Sequence, residues 1–246
     1  MPGVAVITGA GAGIGRAAAV ALARAGWRVI AAGRREAPLA AACHECPERM
    51  TAVVADVASE ASVQRLFAQA AALHGRVDLL FNNAGIVGSP ASVPDVSLAD
   101  FSAVLAVNVT GAFLCAREAF RQMARQSPPG GRIINNGSLS AYVPRPRSLA
   151  YTVSKHAMTG LTRSLSLEGR AHDIACGQID IGNAATQLTE GLAGGALQAD
   201  GRVAREPRMD VEHVAASVVH MASLPLDANV QFLTVMATGM PFIGRG

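Results

Sequence analysis

Short β-rich runs alternate with alanine-rich helical stretches along this 246-residue chain, and that alternation leaves few folds open. The β-rich runs fall at 3–8, 27–32, 51–55, 77–81, 131–136, 174–180 and 229–236, with helices expected in most of the gaps. Val77-Asp78-Leu79-Leu80-Phe81 is nearly continuous in apolar side chains, which suits a strand covered on both faces of a parallel sheet. The expected fold class is α/β, a doubly wound domain with a mainly parallel seven-stranded sheet flanked by helices. Half of the residues are hydrophobic and 16% are charged. Since an average chain carries about 25% charged residues, a large core can be filled. No repeat or Pro/Gly-rich linker divides the chain, so residues 1–246 are read as one domain. The loosest stretch, Gly191 to Pro207, is expected to belong to a mobile substrate lid at about 184–208, an ordinary surface excursion being the other reading.

Charge and cysteine usage exclude several function classes. The net charge is +3 and the arginines are scattered, so no basic stripe marks a nucleic-acid partner. No uncharged apolar run is long enough to span a bilayer. Met1-Pro2-Gly3 leads straight into Val4-Ala5-Val6-Ile7, without the basic flank or length of a secretory signal, and a cytoplasmic protein is expected. Of the cysteines at 43, 46, 115 and 176, only Cys43-His44-Glu45-Cys46 has a suggestive spacing. A zinc ribbon would need a second pair, which leaves a redox Cys-x-x-Cys or free thiols of a reducing compartment. The six histidines have no ligand spacing, and no metal is expected.

Thr8-Gly9-Ala10-Gly11-Ala12-Gly13-Ile14-Gly15 joins the first strand to a helix expected over Arg16 to Ala25. Glycines there let backbone approach a diphosphate, which would rest on free N–H groups at the helix start, so Gly9, Gly11, Gly13, Ile14 and Gly15 are candidate cofactor residues of a Rossmann-type domain. The second strand ends in Ala32-Gly33-Arg34-Arg35, where an NAD site usually offers an acid to the ribose. Guanidinium groups at Arg34 and Arg35 suit a 2′-phosphate and favour NADP(H), with NAD(H) still open because Glu36 could serve the ribose.

Of the 21 basic residues only Lys155 is a lysine, and it lies four residues after Tyr151 in Tyr151-Thr152-Val153-Ser154-Lys155. A chain that uses arginine everywhere else keeps lysine where a compact ammonium is needed. Positions i and i+4 share a helix face, which sets that ammonium beside the phenol and favours its ionised form. Tyr142, the other tyrosine, has Pro146 at the equivalent position.

With the glycine-rich turn, Tyr151-x-x-x-Lys155 makes the chain resemble the short-chain dehydrogenase/reductase family over nearly its whole length. Further motifs match: Asn82-Asn83-Ala84-Gly85 after the fourth strand, Asp56-Val57 after the third, Asn108 in Val107-Asn108-Val109-Thr110-Gly111, and Ser138 thirteen positions before Tyr151. The resemblance implies a catalytic set of Ser138, Tyr151, Lys155 and Asn108. Tyr151 would be the acid or base, Lys155 would tune it and hold the ribose, Ser138 would bind the substrate oxygen, and Asn108 would carry the water of a proton relay. It implies cofactor contacts from Asp56, Val57, Asn83, Ala84, Gly85, Tyr151, Lys155, Gly182 and Thr186, and an alcohol or carbonyl substrate. It also implies a homo-oligomer, dimer or tetramer, pairing the Phe101–Phe120 helix and the Tyr151 helix with their copies. Singly, each residue has an ordinary structural reading, Asn108 as a helix kink, Ser138 as a turn residue and Asp56 as a cap.

The chain departs from the family pattern at Asp180-Ile181-Gly182, where Ile181 stands in place of a proline and Asp180 puts an unexplained acid near the cofactor. Between Ser138 and Tyr151, Arg145 or Arg147 is expected either to bind an acidic group of the substrate or to point to solvent. The rival function is a dinucleotide-binding regulator of the same fold without turnover.

Overall fold

A computed structural model describes residues 3–187, 189 and 194–243. In chain order the elements are β1 (Val4–Thr8), α1 (Gly13–Arg24), β2 (Arg28–Gly33), α2 (Glu36–Cys43), β3 (Met50–Val54), α3 (Glu60–His74) and β4 (Leu79–Asn82). They continue with α4 (Leu98–Leu105), α5 (Ala112–Arg125), β5 (Gly131–Asn136), α6 (Leu149–Gly169), β6 (Ile174–Ile181), β7 (Ala196–Leu197), β8 (Val203–Ala204), α7 (Val211–Ser223) and β9 (Phe232–Val235). Seven strands form one sheet in the order β3-β2-β1-β4-β5-β6-β9, and every pairing in it is parallel. All seven expected strands are therefore present, and the sheet is wholly rather than mainly parallel.

The apolar runs explain themselves in two cores, one on each face. Ala5, Ile7, Leu79 and Phe81 pack into one cluster with Leu22 and Leu39, whereas Val6 and Leu80 pack into the other with Ile30, Leu66 and Met123. A strand covered on both faces cannot alternate with polar residues, because each of its side chains meets a helix layer.

From β1 the chain builds outward to β2 and β3, then crosses back to place β4 on β1's other side. That reversal opens a crevice at the carboxyl ends of β1 and β4, where ligands bind in open α/β sheets. Side chains cap α3, α4 and α7, through Ser59, Ser97 and Asp210, while Ala12 starts α1 without a side-chain cap. The first amides of α1 are thus left to the glycine-rich turn.

Between α4 and α5 a six-residue π turn, Ala106–Gly111, keeps Leu98–Arg125 running as one long helix. By length and composition this helix could cross a membrane. Its Cys115, Ala119 and Met123 are fully buried in the second core cluster, while Phe113 is 45% exposed.

Within the segment expected as a lid, 184–208, β7 and β8 form a two-stranded antiparallel ribbon and Ala184 bridges to Met209. Residues 188 and 190–193 of that segment lie outside the described residues.

Candidate active site

The glycine-rich turn is shaped by close approach. Gly9 has φ +68, a conformation unfavourable to residues bearing Cβ. A Cβ on Gly15 would lie 2.3 Å from the Gly9 carbonyl oxygen and 2.5 Å from Asn83 Nδ2. Asn83 pins the turn from β4's side, donating from Nδ2 to the Thr8 carbonyl at 2.9 Å and accepting at Oδ1 from Asn136 Nδ2 at 2.8 Å. Thr8 Oγ1 in turn accepts from the amides of Asn83 and Ala84.

Three adjoining cavities follow the crevice. The first, about 340 Å³, is lined by Gly9, Gly13, Ile14, Gly15, Asn83, Ala84, Gly85, Tyr151, Lys155, Gly182 and Thr186 among others. The second, about 190 Å³, takes in Gly11, Arg34, Arg35, Asp56 and Val57. All the expected cofactor residues, drawn from six separate segments of sequence, are thereby brought to one continuous channel. Arg34 and Arg35 are exposed at its rim and have no ion-pair partner among the described residues, and Glu36 lines neither cavity. The third cavity, about 230 Å³, lies beyond Tyr151 and contains Ser138, Arg145, Arg147, Asn183, Met240 and Phe242.

Tyr151 and Lys155 share a face of α6 and meet the first cavity together. Lys155 is buried, its Nζ donating to the Asn136 carbonyl at 2.8 Å and lying 5.4 Å from the centre of the Tyr151 ring. It has no carboxylate partner among the described residues, and two of its three N–H donors remain for a ligand. Ser138 follows β5, and its Oγ accepts from the Ser140 amide at 3.1 Å. The hydroxyl proton is thereby left to donate elsewhere.

Asn108 is buried in the π turn and lines none of the three cavities. Its side chain clamps Ile86, accepting from the amide and donating to the carbonyl at 2.8 Å each, and donates to Ser154 Oγ at 3.0 Å. Its side-chain bonds therefore hold the helix turn between Tyr151 and Lys155 rather than Lys155 itself. A single-turn π bulge at such a point is a frequent feature of functional sites.

Arg145 lines the third cavity and is only partly exposed, ion-paired with Glu206, whose side chain is 1% exposed, and donating to Asn183 Oδ1 at 2.9 Å. Arg147, with φ +59, is exposed, lines the third cavity and makes no hydrogen bond or ion pair among the described residues. Asp180 is not a cofactor-side acid. It is fully buried beneath the loop after β5 and lines none of the three cavities, while Ile181 and Gly182 beside it do. Burial and a hydrogen bond to Asp180 push the Tyr142 phenol up to about 12, which fits it poorly for proton transfer near neutral pH.

Sequence reasoning missed Glu206 and the tail residues Met240 and Phe242, because each enters from a distant segment, and Asn183, because only its partners Arg145 and Glu206 mark it out from Gly182 beside it. A lone glutamate in a loose charged stretch carries no local sign that it will be buried. Among the described residues no group of three or more His, Cys, Asp or Glu could hold a metal, and all four cysteines are free.

The family model for short chain dehydrogenase matches residues 3–195. Sulfoacetaldehyde reductase 2 of Chromohalobacter salexigens is 33% identical over 97% of this chain and 95% of its own length. Cis-4-hydroxycyclohexanecarboxylate dehydrogenase of Sinomonas cyclohexanicum is 34% identical over 89% of each chain. Among solved structures, 3-ketoacyl-(acyl-carrier-protein) reductase of Brucella melitensis, complexed with NADH, superposes with a TM-score of 0.84 at 26% identity, covering 95% of this chain and 96% of that one. With the parallel sheet, the glycine turn on an uncapped helix and Tyr151 beside Lys155 at the crevice, these matches establish that the chain belongs to the short-chain dehydrogenase family.

Proposed function

We propose that the protein is an oxidoreductase moving a hydride between a nicotinamide dinucleotide, NADP(H) in preference to NAD(H), and the carbon of a secondary alcohol or ketone. The observation that carries this reading is Tyr151, which lines both the glycine-lined channel and the cavity that contains Ser138, with Lys155 beside it in the channel. The residues present fit the cofactor: a glycine-rich turn that packs too closely on Gly9 and Asn83 to admit a Cβ at Gly15, amides at the start of α1 without a side-chain cap, and the Arg34 and Arg35 guanidinium groups, which have no ion-pair partner among the described residues, at the second cavity. When bound, the nicotinamide supplies or accepts the hydride at C4.

In the reducing direction Tyr151 gives its hydroxyl proton to the substrate oxygen and is left as phenolate. Lys155 stabilises that phenolate by charge, and its two remaining donors suit the ribose hydroxyls. Ser138 donates its hydroxyl to the same substrate oxygen as charge develops there. Asn108 holds the turn of α6 between the two, and the relay role that the family gives it belongs to the same proposal. The reaction is tested by nicotinamide absorbance with NADPH and a panel of ketones. Turnover that disappears in Tyr151→Phe supports it, whereas nucleotide binding with no turnover on any substrate, in both proteins alike, would favour the regulator.

Replacing both Arg34 and Arg35 with alanine is expected to raise KM for NADPH about tenfold and leave KM for NADH nearly unchanged, since hydrogen bonds to a charged group are worth about 1.5–3 kcal/mol. An equal change for both cofactors would remove the 2′-phosphate assignment. Two relatives are named for sulfoacetaldehyde and for a hydroxycyclohexanecarboxylate, both acidic compounds. With Arg145 neutralised by Glu206, Arg147 is the guanidinium that an acidic substrate would meet. Arg147→Ala should then raise KM for a keto acid about tenfold while sparing its methyl ester; equal effects on both would count against the contact.

The half-exposed Phe113 on the long apolar helix, with Val153 exposed on α6, supports a homodimer or homotetramer built on these helices, which light scattering on the purified protein can read. Four free cysteines suit the cytoplasm.

A further inference from the structure

Asp180 is a fully buried carboxylate that the proton-transfer scheme does not use. Such a group is costly in the interior unless its oxygens are satisfied. Three donors satisfy it: the Ser138 amide at 3.1 Å and Gln178 Nε2 at 2.7 Å on Oδ1, and the Tyr142 hydroxyl at 2.8 Å on Oδ2. Room for it is made by Gly137, where an added Cβ would lie 2.0 Å from Asp180 Oδ1.

Each donor leads to a different part of the site. Ser138 offers its hydroxyl to the third cavity, so the bond to its amide fixes the residue proposed to hold the substrate oxygen. Gln178, itself fully buried, accepts from Thr162 Oγ1 at 3.0 Å and donates to Thr159 Oγ1 at 3.2 Å, which ties Asp180 to α6, the helix of Tyr151 and Lys155. Tyr142 stacks edge-on against Phe242, a wall residue of the third cavity, with ring centres 6.4 Å apart.

We propose that Asp180 is a positioning residue, orienting Ser138 through its amide and setting one wall of the substrate cavity through Tyr142 and Phe242. The proposal rests on the reaction proposed above. Because Asp180 lines none of the three cavities, it acts through these neighbours and not on the substrate. Its carboxylate joins the strand, loop and helix that must agree in register for Ser138 and Tyr151 to face one oxygen.

The test is a double-mutant cycle on ketone reduction. Ser138→Ala is expected to lower kcat about a hundredfold, as does loss of one donor to a developing oxyanion. Asp180→Asn keeps the volume but turns an N–H₂ towards one of the three donors, and kcat should fall about tenfold with the Kd for NADPH within about twofold of wild type. If Asp180 works through Ser138, the double variant lies within about threefold of Ser138→Ala alone, because coupled residues are not additive. Additive losses, or a normal kcat in Asp180→Asn, would overturn the proposal.

Tyr142→Phe, at the half-exposed end of the network, should shift the ratio of kcat/KM between a bulky and a small ketone by about fivefold, a change of about 1 kcal/mol. An unchanged ratio overturns the wall assignment, and should Asp180→Asn not fold, this variant alone decides. Turnover in wild type that is lost in Tyr151→Phe, with Asp180→Asn unaffected, sinks only the role of Asp180. No turnover in wild type sinks both readings.

Discussion

Lys155→Arg is expected to lower turnover about a hundredfold or more, within the range of 10²–10⁴ that general acid–base catalysis supplies, although the positive charge is kept. The Lys155 ammonium is buried, bonded to the Asn136 carbonyl at 2.8 Å and set 5.4 Å from the Tyr151 ring centre. A guanidinium is a broad planar fork, and beside that carbonyl it would reach into the channel where the ribose is proposed to lie and would not set a compact charge beside the phenol. Tyr151→Phe should lose at least as much, since it removes the proton itself while leaving the apolar ring in place. The two variants separate the functions: Tyr151→Phe keeps nucleotide affinity, whereas Lys155→Arg also weakens it through the ribose contacts. Rates are read by nicotinamide absorbance and affinities by fluorescence titration. Near-normal turnover in Lys155→Arg would show that the single lysine of this chain is a compositional accident.

The second large effect is expected at Gly15. In Gly15→Val the new Cβ meets the Gly9 carbonyl oxygen at 2.3 Å and Asn83 Nδ2 at 2.5 Å, and the first of these is backbone that cannot swing aside. Overpacking of this kind costs about 1–3 kcal/mol, which here falls on the turn that would carry the diphosphate. NADPH affinity should therefore drop about tenfold to a hundredfold, since about 1.4 kcal/mol is a factor of ten. The control is Gly160→Ala on α6, where an added Cβ meets nothing within 4 Å and helix propensity improves. That variant should bind NADPH as wild type does. A folded Gly15→Val with unchanged affinity would remove the turn from the nucleotide site.

Tyr151 and Lys155 lie one helical turn apart, and the glycines of the first turn lie within seven positions, so local geometry alone joins them. The strands were legible for a related reason: a strand buried on both faces has an unbroken apolar run, and Leu79, Leu80 and Phe81 divide between the two cores in that way. Asn108 was legible as a position but not as a set of partners, because Ile86 and Ser154 lie 22 and 46 residues away.

What the sequence by itself determined is the alternation that builds the parallel sheet, the glycine turn at its first crossover and the Tyr151–Lys155 pair, since all are set by periodicity and near-neighbour geometry. Only the tertiary structure decided which partners Arg145 and Asp180 take. Each choice joins residues far apart in the chain, Arg145 to Glu206 across 61 positions and Asp180 to Ser138 across 42. A buried charge must take whichever partners the packing leaves beside it, and no local pattern encodes that choice.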